Sequence, residues 1–110
     1  MKKLTLLALP AALALALTTI SAQAADGKAV YADNCTKCHG DDGKGDTKMG
    51  TKLGCKDYST AAVQTAVSDD QAVKSIKEGL KKDDKTLMKP SELSDEDIKA
   101  SVAYLRTLKK

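Results

Sequence analysis

The sequence predicts an all-α fold of three to four helices. Three observations carry that reading. Apolar residues recur at spacings of three and four in the second half of the chain. Capping residues stand directly ahead of those runs. Two-residue alternation is absent and β-branched residues never cluster, so no segment reads as a strand.

The first element is a targeting segment. Lys2 and Lys3 are followed by an uncharged apolar stretch over residues 4–20, and Ala22-Gln23-Ala24 supplies the small residues of a cleavage site. Residues 1–24 therefore read as a cleaved secretory signal peptide and residues 25–110 as one mature domain, exported most simply to a bacterial periplasm. An uncleaved anchor is the alternative, but 17 uncharged residues interrupted by Pro10 sit at the lower limit of a spanning helix. No later run approaches that length, so no stable membrane insertion is expected after cleavage.

Asp26 caps a first helix that carries Val30 and Tyr31 and runs into Cys35. Five glycines between residues 40 and 54 mark a loop. Ser59 or Thr60 starts a short helix with Val63 and Val67 on one side. Ser68 and Gln71 form a capping-box pattern ahead of Ala72, Val73, Ile76 and Leu80. Residues 83–90 read as a polar loop carrying Leu87 and Met88. Ser94 and Asp97 open the last helix, with Ile98, Val102, Leu105 and Leu108 on one face. Acids at its start and Arg106, Lys109 and Lys110 at its end complement the helix dipole.

Residues 25–110 hold only 15 large aliphatic or methionine side chains, no Phe and no Trp. That is a thin core for the length, and chains this small often need a staple, a metal or a cofactor. Their 16 basic and 15 acidic residues nearly balance. With so few aromatic side chains for stacking, that balance gives no support to nucleic-acid binding.

Cys35-Thr36-Lys37-Cys38-His39 is a C-x-x-C-H sequence, the attachment signature of c-type haem. One helical turn places the two thiols along one porphyrin edge, where they add across the vinyl groups. The adjacent His39 can then swing its imidazole under the iron. A thiol–disulfide pair would expect a surrounding βαβ pattern, which is missing. A zinc site from Cys35, Cys38, His39 and Cys55 would need adjacent residues on one tetrahedral ion and lacks a second ligand pair.

The chain from residue 25 onward resembles small, soluble bacterial class I c-type cytochromes. The resemblance rests on Gly27 and Tyr31 ahead of the motif, the motif with Gly40, the Leu87-Met88-Lys89-Pro90 loop, and a closing helix with Tyr104 and Leu105. It implies a cytochrome c-like fold wrapped around one covalently attached haem c, held by Cys35 and Cys38. It also implies that the first and last helices cross with Gly27 against Tyr104. The chain departs from the pattern in having Lys89 before Pro90, and no proline between His39 and Met88 near a carbonyl acceptor for the imidazole N–H. It also has no Trp to donate to a haem propionate; Tyr58, Lys52 and Lys56 are candidate substitutes.

His39 is the single histidine, so a monomer cannot ligate iron through two imidazoles. Met49 and Met88 are the candidate sixth ligands. Met88 lies 49 residues beyond His39 on a loop between helices, far enough for the chain to wrap the ring, whereas Met49 lies only ten beyond and reads as core filler. His39/Met88 ligation leaves no open iron position, so the expected function is one-electron transfer between redox partner proteins, not enzymatic catalysis. The alternatives are a ligand-sensing or peroxidase-like haem protein with a labile Met88, and a docked subunit of a dehydrogenase or oxidase. Lys37, Lys52, Lys56, Lys85 and Lys89 are candidates for a basic docking rim. Cys55 is left over; it reads as a small buried residue in a monomer, with an intermolecular disulfide dimer as the alternative.

Overall fold

The computed structural model describes residues 26–110. The export signal expected over residues 1–24 lies outside them. Among the described residues the fold is helical, as expected, with six helices and one two-stranded hairpin. It is more finely divided than the sequence suggests.

Helix α1 (Gly27–Asn34) begins at Asp26, whose carboxylate accepts the Ala29 amide. The short α2 (Thr36–His39) continues it after Cys35 and stops at Gly40. A further helix, α3 (Lys48–Leu53), lies inside the glycine-rich stretch expected to be a loop. The Thr47 hydroxyl caps it through the Gly50 amide and also donates to the Cys38 carbonyl, 2.8 Å away. Gly50 sits against the Cys38 and Gly45 carbonyls, where an added methyl would overlap both. Glycine at that position thus permits a close backbone approach.

Thr60 caps α4 (Ala61–Ala66), and Ser68 with Gln71 forms the expected capping box of α5 (Asp69–Glu78). Leu80 was expected on the apolar face of α5. The helix instead ends at Gly79, and Leu80 is 43% exposed at the start of β1 (Leu80–Lys82). Antiparallel β2 (Lys85–Met88) completes a hairpin where a polar loop was expected. Asp83 and Asp84 both take positive φ, the requirement of a two-residue turn matched to strand twist. Aspartate tolerates that backbone better than most residues.

The last helix, α6 (Asp95–Arg106), is capped by Ser94. It crosses α1 at Gly27, where an added methyl would overlap the Ala100 carbonyl and press on Tyr104. The Tyr31 and Tyr104 rings meet nearby, with centroids 5.2 Å apart. Among the described residues the buried hydrophobic side chains are Tyr31, Ala72, Ile98, Val102 and Leu105. The core is therefore the α1–α6 crossing plus one contact from α5.

Tyr31 also donates from its hydroxyl to the Gly40 carbonyl at 2.7 Å, tying α1 to the end of α2. Burial, then the neighbouring Cys35, raises its phenol above the ordinary value. An acid with a raised folded pKa stabilises the fold below its unfolded pKa, about 10 for tyrosine, and loses that contribution as pH rises through the folded value. Urea midpoints should therefore fall above about pH 10, and Tyr31→Phe should flatten that fall. Removing the hydroxyl should itself cost about 1 kcal/mol at neutral pH. An unchanged alkaline slope in the variant would refute the assignment.

Candidate functional site

Cys35, Cys38, His39 and Met88 line one cavity, together with Tyr31, Ile76, Val102 and Leu105. The space between them, counting its open mouth, is about 690 Å³. The junction of α1 with α2 supplies both thiols and the imidazole. The hairpin supplies the thioether, and α5 and α6 supply the apolar walls. Core and cavity wall are largely the same residues, since Tyr31, Val102 and Leu105 belong to both.

The motif is fixed by backbone contacts. The Cys35 amide donates to the Tyr31 carbonyl, and the His39 amide to the Cys35 carbonyl at 3.0 Å. The His39 carbonyl accepts from Gly45, and that of Cys38 accepts from Thr47. Met88 is placed by the base of the hairpin. Its carbonyl and the Pro90 ring close on Gly79, where no Cβ would fit, and the Ser91 amide donates to the Ile76 carbonyl at 2.9 Å. Lys89 between Met88 and Pro90 is thus accommodated by a proline that docks on the end of α5.

Electrostatics separates the readings of the motif. Burial pushes the Cys35 thiol up to about 11, and Cys38 adds to the shift. Thiol–disulfide catalysts instead depress that value to keep a reactive thiolate. Burial lowers the His39 pKa, which favours the neutral form that a ligand imidazole requires. Its Nδ1 is buried without a hydrogen-bond partner. Among the described residues no group of three or more His, Cys, Asp or Glu side chains is arranged to hold a metal ion by itself.

The donors present fit a covalently attached porphyrin: two thiols one helical turn apart, a neutral imidazole beside them, a thioether in the same cavity, and an otherwise mostly apolar lining. The sequence model of the cytochrome c family matches residues 24–109. The chain belongs to the cytochrome c family. Its cofactor is a covalently bound c-type haem with iron. Solved structures that resemble this cytochrome include two of one c-type cytochrome. The KustC0563 c-type cytochrome is 34% identical, with a TM-score of 0.68 over 77% of this chain and 99% of that one. A tyrosine-to-phenylalanine mutant of the same protein is 32% identical, with a TM-score of 0.65 over 76% and 99%. No curated protein sequence matches the chain.

The other sequence candidates fall elsewhere. Met49 lies in α3, half-buried and outside the cavity lining. Cys55 is half-buried with its Cβ against Gly45, and its thiol is raised by burial and by the adjacent Cys38. Lys37, Lys52, Lys56, Lys85 and Lys89 are all exposed, and Lys85 reaches the Lys52 carbonyl at 3.5 Å, joining the hairpin to α3. Among the described residues the ion pairs are Lys77–Asp95 and Arg106–Asp69, so none of the five is in one. No described helix is long and apolar enough to cross a membrane. Two features escape sequence reasoning: the packing of Tyr58 on His39 and the role of Arg106, which binds Gln64, Val67 and Asp69.

Proposed function

We propose that this cytochrome is an exported, periplasmic one-electron carrier whose haem is anchored by Cys35 and Cys38 and ligated by His39 and Met88. The convergence of two thiols, the single imidazole and the Met88 thioether on one cavity carries the reading. Bound haem supplies an Fe(II)/Fe(III) couple. Cys35 and Cys38 keep the group from dissociating during repeated encounters with partners. His39 presents a neutral nitrogen donor. The Met88 thioether favours the ferrous state relative to a second nitrogen. Ile76, Val102 and Leu105 exclude water from the cavity, which disfavours the more highly charged ferric state. If His39 and Met88 both hold the iron, no site would stay open for substrate.

Lys37, Lys52, Lys56, Lys85 and Lys89 would present a basic rim to an acidic partner surface. Donor and acceptor are then larger redox proteins that dock briefly over a small area. Cys55, beside Cys38, reads as packing in a monomer.

The purified protein should show reduced absorption bands of haem c and titrate as a single one-electron couple. Its oxidation by an acidic partner should slow as salt is raised. A rate that rises with ionic strength would remove the basic rim. Rapid binding of CO or cyanide by the untreated protein would favour a ligand-sensing protein instead.

A further inference from the structure

Cys55 has no part in the haem site, yet the fold brings it up to the attachment motif. Its amide donates to the Gly50 carbonyl at 2.9 Å. The Cys38 carbonyl meets the same glycine, where an added methyl would overlap it. Gly45 makes a second such approach. Its amide donates to the His39 carbonyl at 2.8 Å, and an added methyl would stand 2.8 Å from the Cys55 Cβ. Two glycines without room for a side chain thus bring Cys55 close to residues 38 and 39.

The side chains meet as well. Burial raises the Cys55 thiol, and so do the charge and a side-chain hydrogen bond of Cys38. Burial and then Cys38 raise the Cys35 thiol. Neither Cys35 nor Cys55 acts on the other, so Cys38 is the middle thiol of three. Cys35 lies three residues from Cys38 and Cys55 lies 17. In a structureless chain the shorter loop closes more readily. Here the longer approach is held by bonds within residues 36–55: Thr47 to the Cys38 carbonyl, Gly45 to His39, Gly40 to Thr36 and Cys55 to Gly50. None of these bonds comes from α5, the hairpin or α6, which wall the cavity. The approach therefore does not depend on a filled cavity.

We propose that Cys55 is the redox partner of Cys38 before haem is attached, and that a Cys38–Cys55 disulfide gates the attachment. The proposal rests on Cys38 as an attachment thiol in an exported chain, where the surroundings are oxidising. The oxidant is an external disulfide. One thiolate of the pair attacks it, giving a mixed disulfide and releasing one thiol. The second thiolate of the pair displaces the other half. One S–S bond forms in the chain, one breaks in the oxidant, and two electrons and two protons leave on two thiols. A dithiol reductant reverses the exchange. Cys38 is then free to add its S–H across a vinyl group, forming one S–C and one C–H bond with no net transfer of electrons. Cys55 stays behind as a free, half-buried thiol.

The test follows disulfides in the full chain, made without haem and held in a buffer of reduced and oxidised glutathione. Free thiols are alkylated, and trypsin then cuts at Lys37, which separates Cys35 from Cys38. By mass spectrometry the Cys38–Cys55 link should exceed Cys35–Cys38 at least fivefold in native buffer, and the order should reverse in concentrated urea. In the same native buffer, Cys35→Ser should gain covalent haem at least fivefold more slowly than Cys35→Ser combined with Cys55→Ser. Excess dithiol should erase that difference. A dominant Cys35–Cys38 link in native buffer, or a Cys55 that stays free, overturns the pairing. Equal uptake by the two variants in the glutathione buffer overturns the gate. Failure of both variants to gain covalent haem in excess dithiol would instead refute Cys38 as an attachment thiol.

Discussion

Cys35→Ala combined with Cys38→Ala is expected to abolish the cooperative melting transition, leaving a chain that loses its helical signal gradually on heating. The reason is the shared identity of core and cavity wall. Only five hydrophobic side chains are buried among the described residues, and Tyr31, Val102 and Leu105 of that set face the cavity. The lining residues Ile76, Met88 and Leu93 are only half-buried, and their apolar surface needs a partner from the cofactor, at up to about 1.5–3 kcal/mol for each side chain fully removed from water. A native domain has a margin of about 5–15 kcal/mol, so losing that partner removes most of it. Either single variant should retain one thioether and melt at an intermediate temperature. Thermal scans by circular dichroism decide the matter. A colourless double variant that still melts as sharply as the holoprotein would show that the helices are self-sufficient.

Met88→Ala has the second large effect. The weak long-wavelength band of iron–sulfur ligation should vanish, exogenous ligands should bind quickly, and the oxidised form should gain on the order of a hundredfold, about 120 mV at 59 mV per decade. Met49→Ala should leave all three unchanged, because Met49 lies in α3 outside the cavity. Persistence of the band without Met88 would reassign the ligand. Helical content should survive, since the hairpin base is held by Gly79, Pro90 and the Ser91–Ile76 hydrogen bond.

Legibility followed locality. The caps at Asp26, Ser68 and Ser94 are patterns within a single turn, and all three helices begin where those residues stand. The attachment motif is equally local. Helix α3 was hidden because Gly50 looks like a breaker, and its reason is distant in sequence: the Cys38 and Gly45 carbonyls leave no room for a side chain. The hairpin was hidden because its turn is Asp83-Asp84 without glycine and its strands are largely lysine, so neither turn chemistry nor alternation announced it. Leu80 fits the spacing of α5, but Gly79 breaks the helix one residue earlier. The Tyr58 carbonyl is held by Gln64, which Arg106 binds from 42 residues away, and no short-range signal records such a contact.

The clasp at the foot of the hairpin separates two jobs that one loop usually shares. Because Met88 is registered from Gly79 and Pro90, the tip around Asp83 and Asp84 carries no duty toward the pocket. A change of length or charge at that outer end should leave the sulfur in place. For protein engineering it is the natural splice point for a reporter or an electrode-binding peptide.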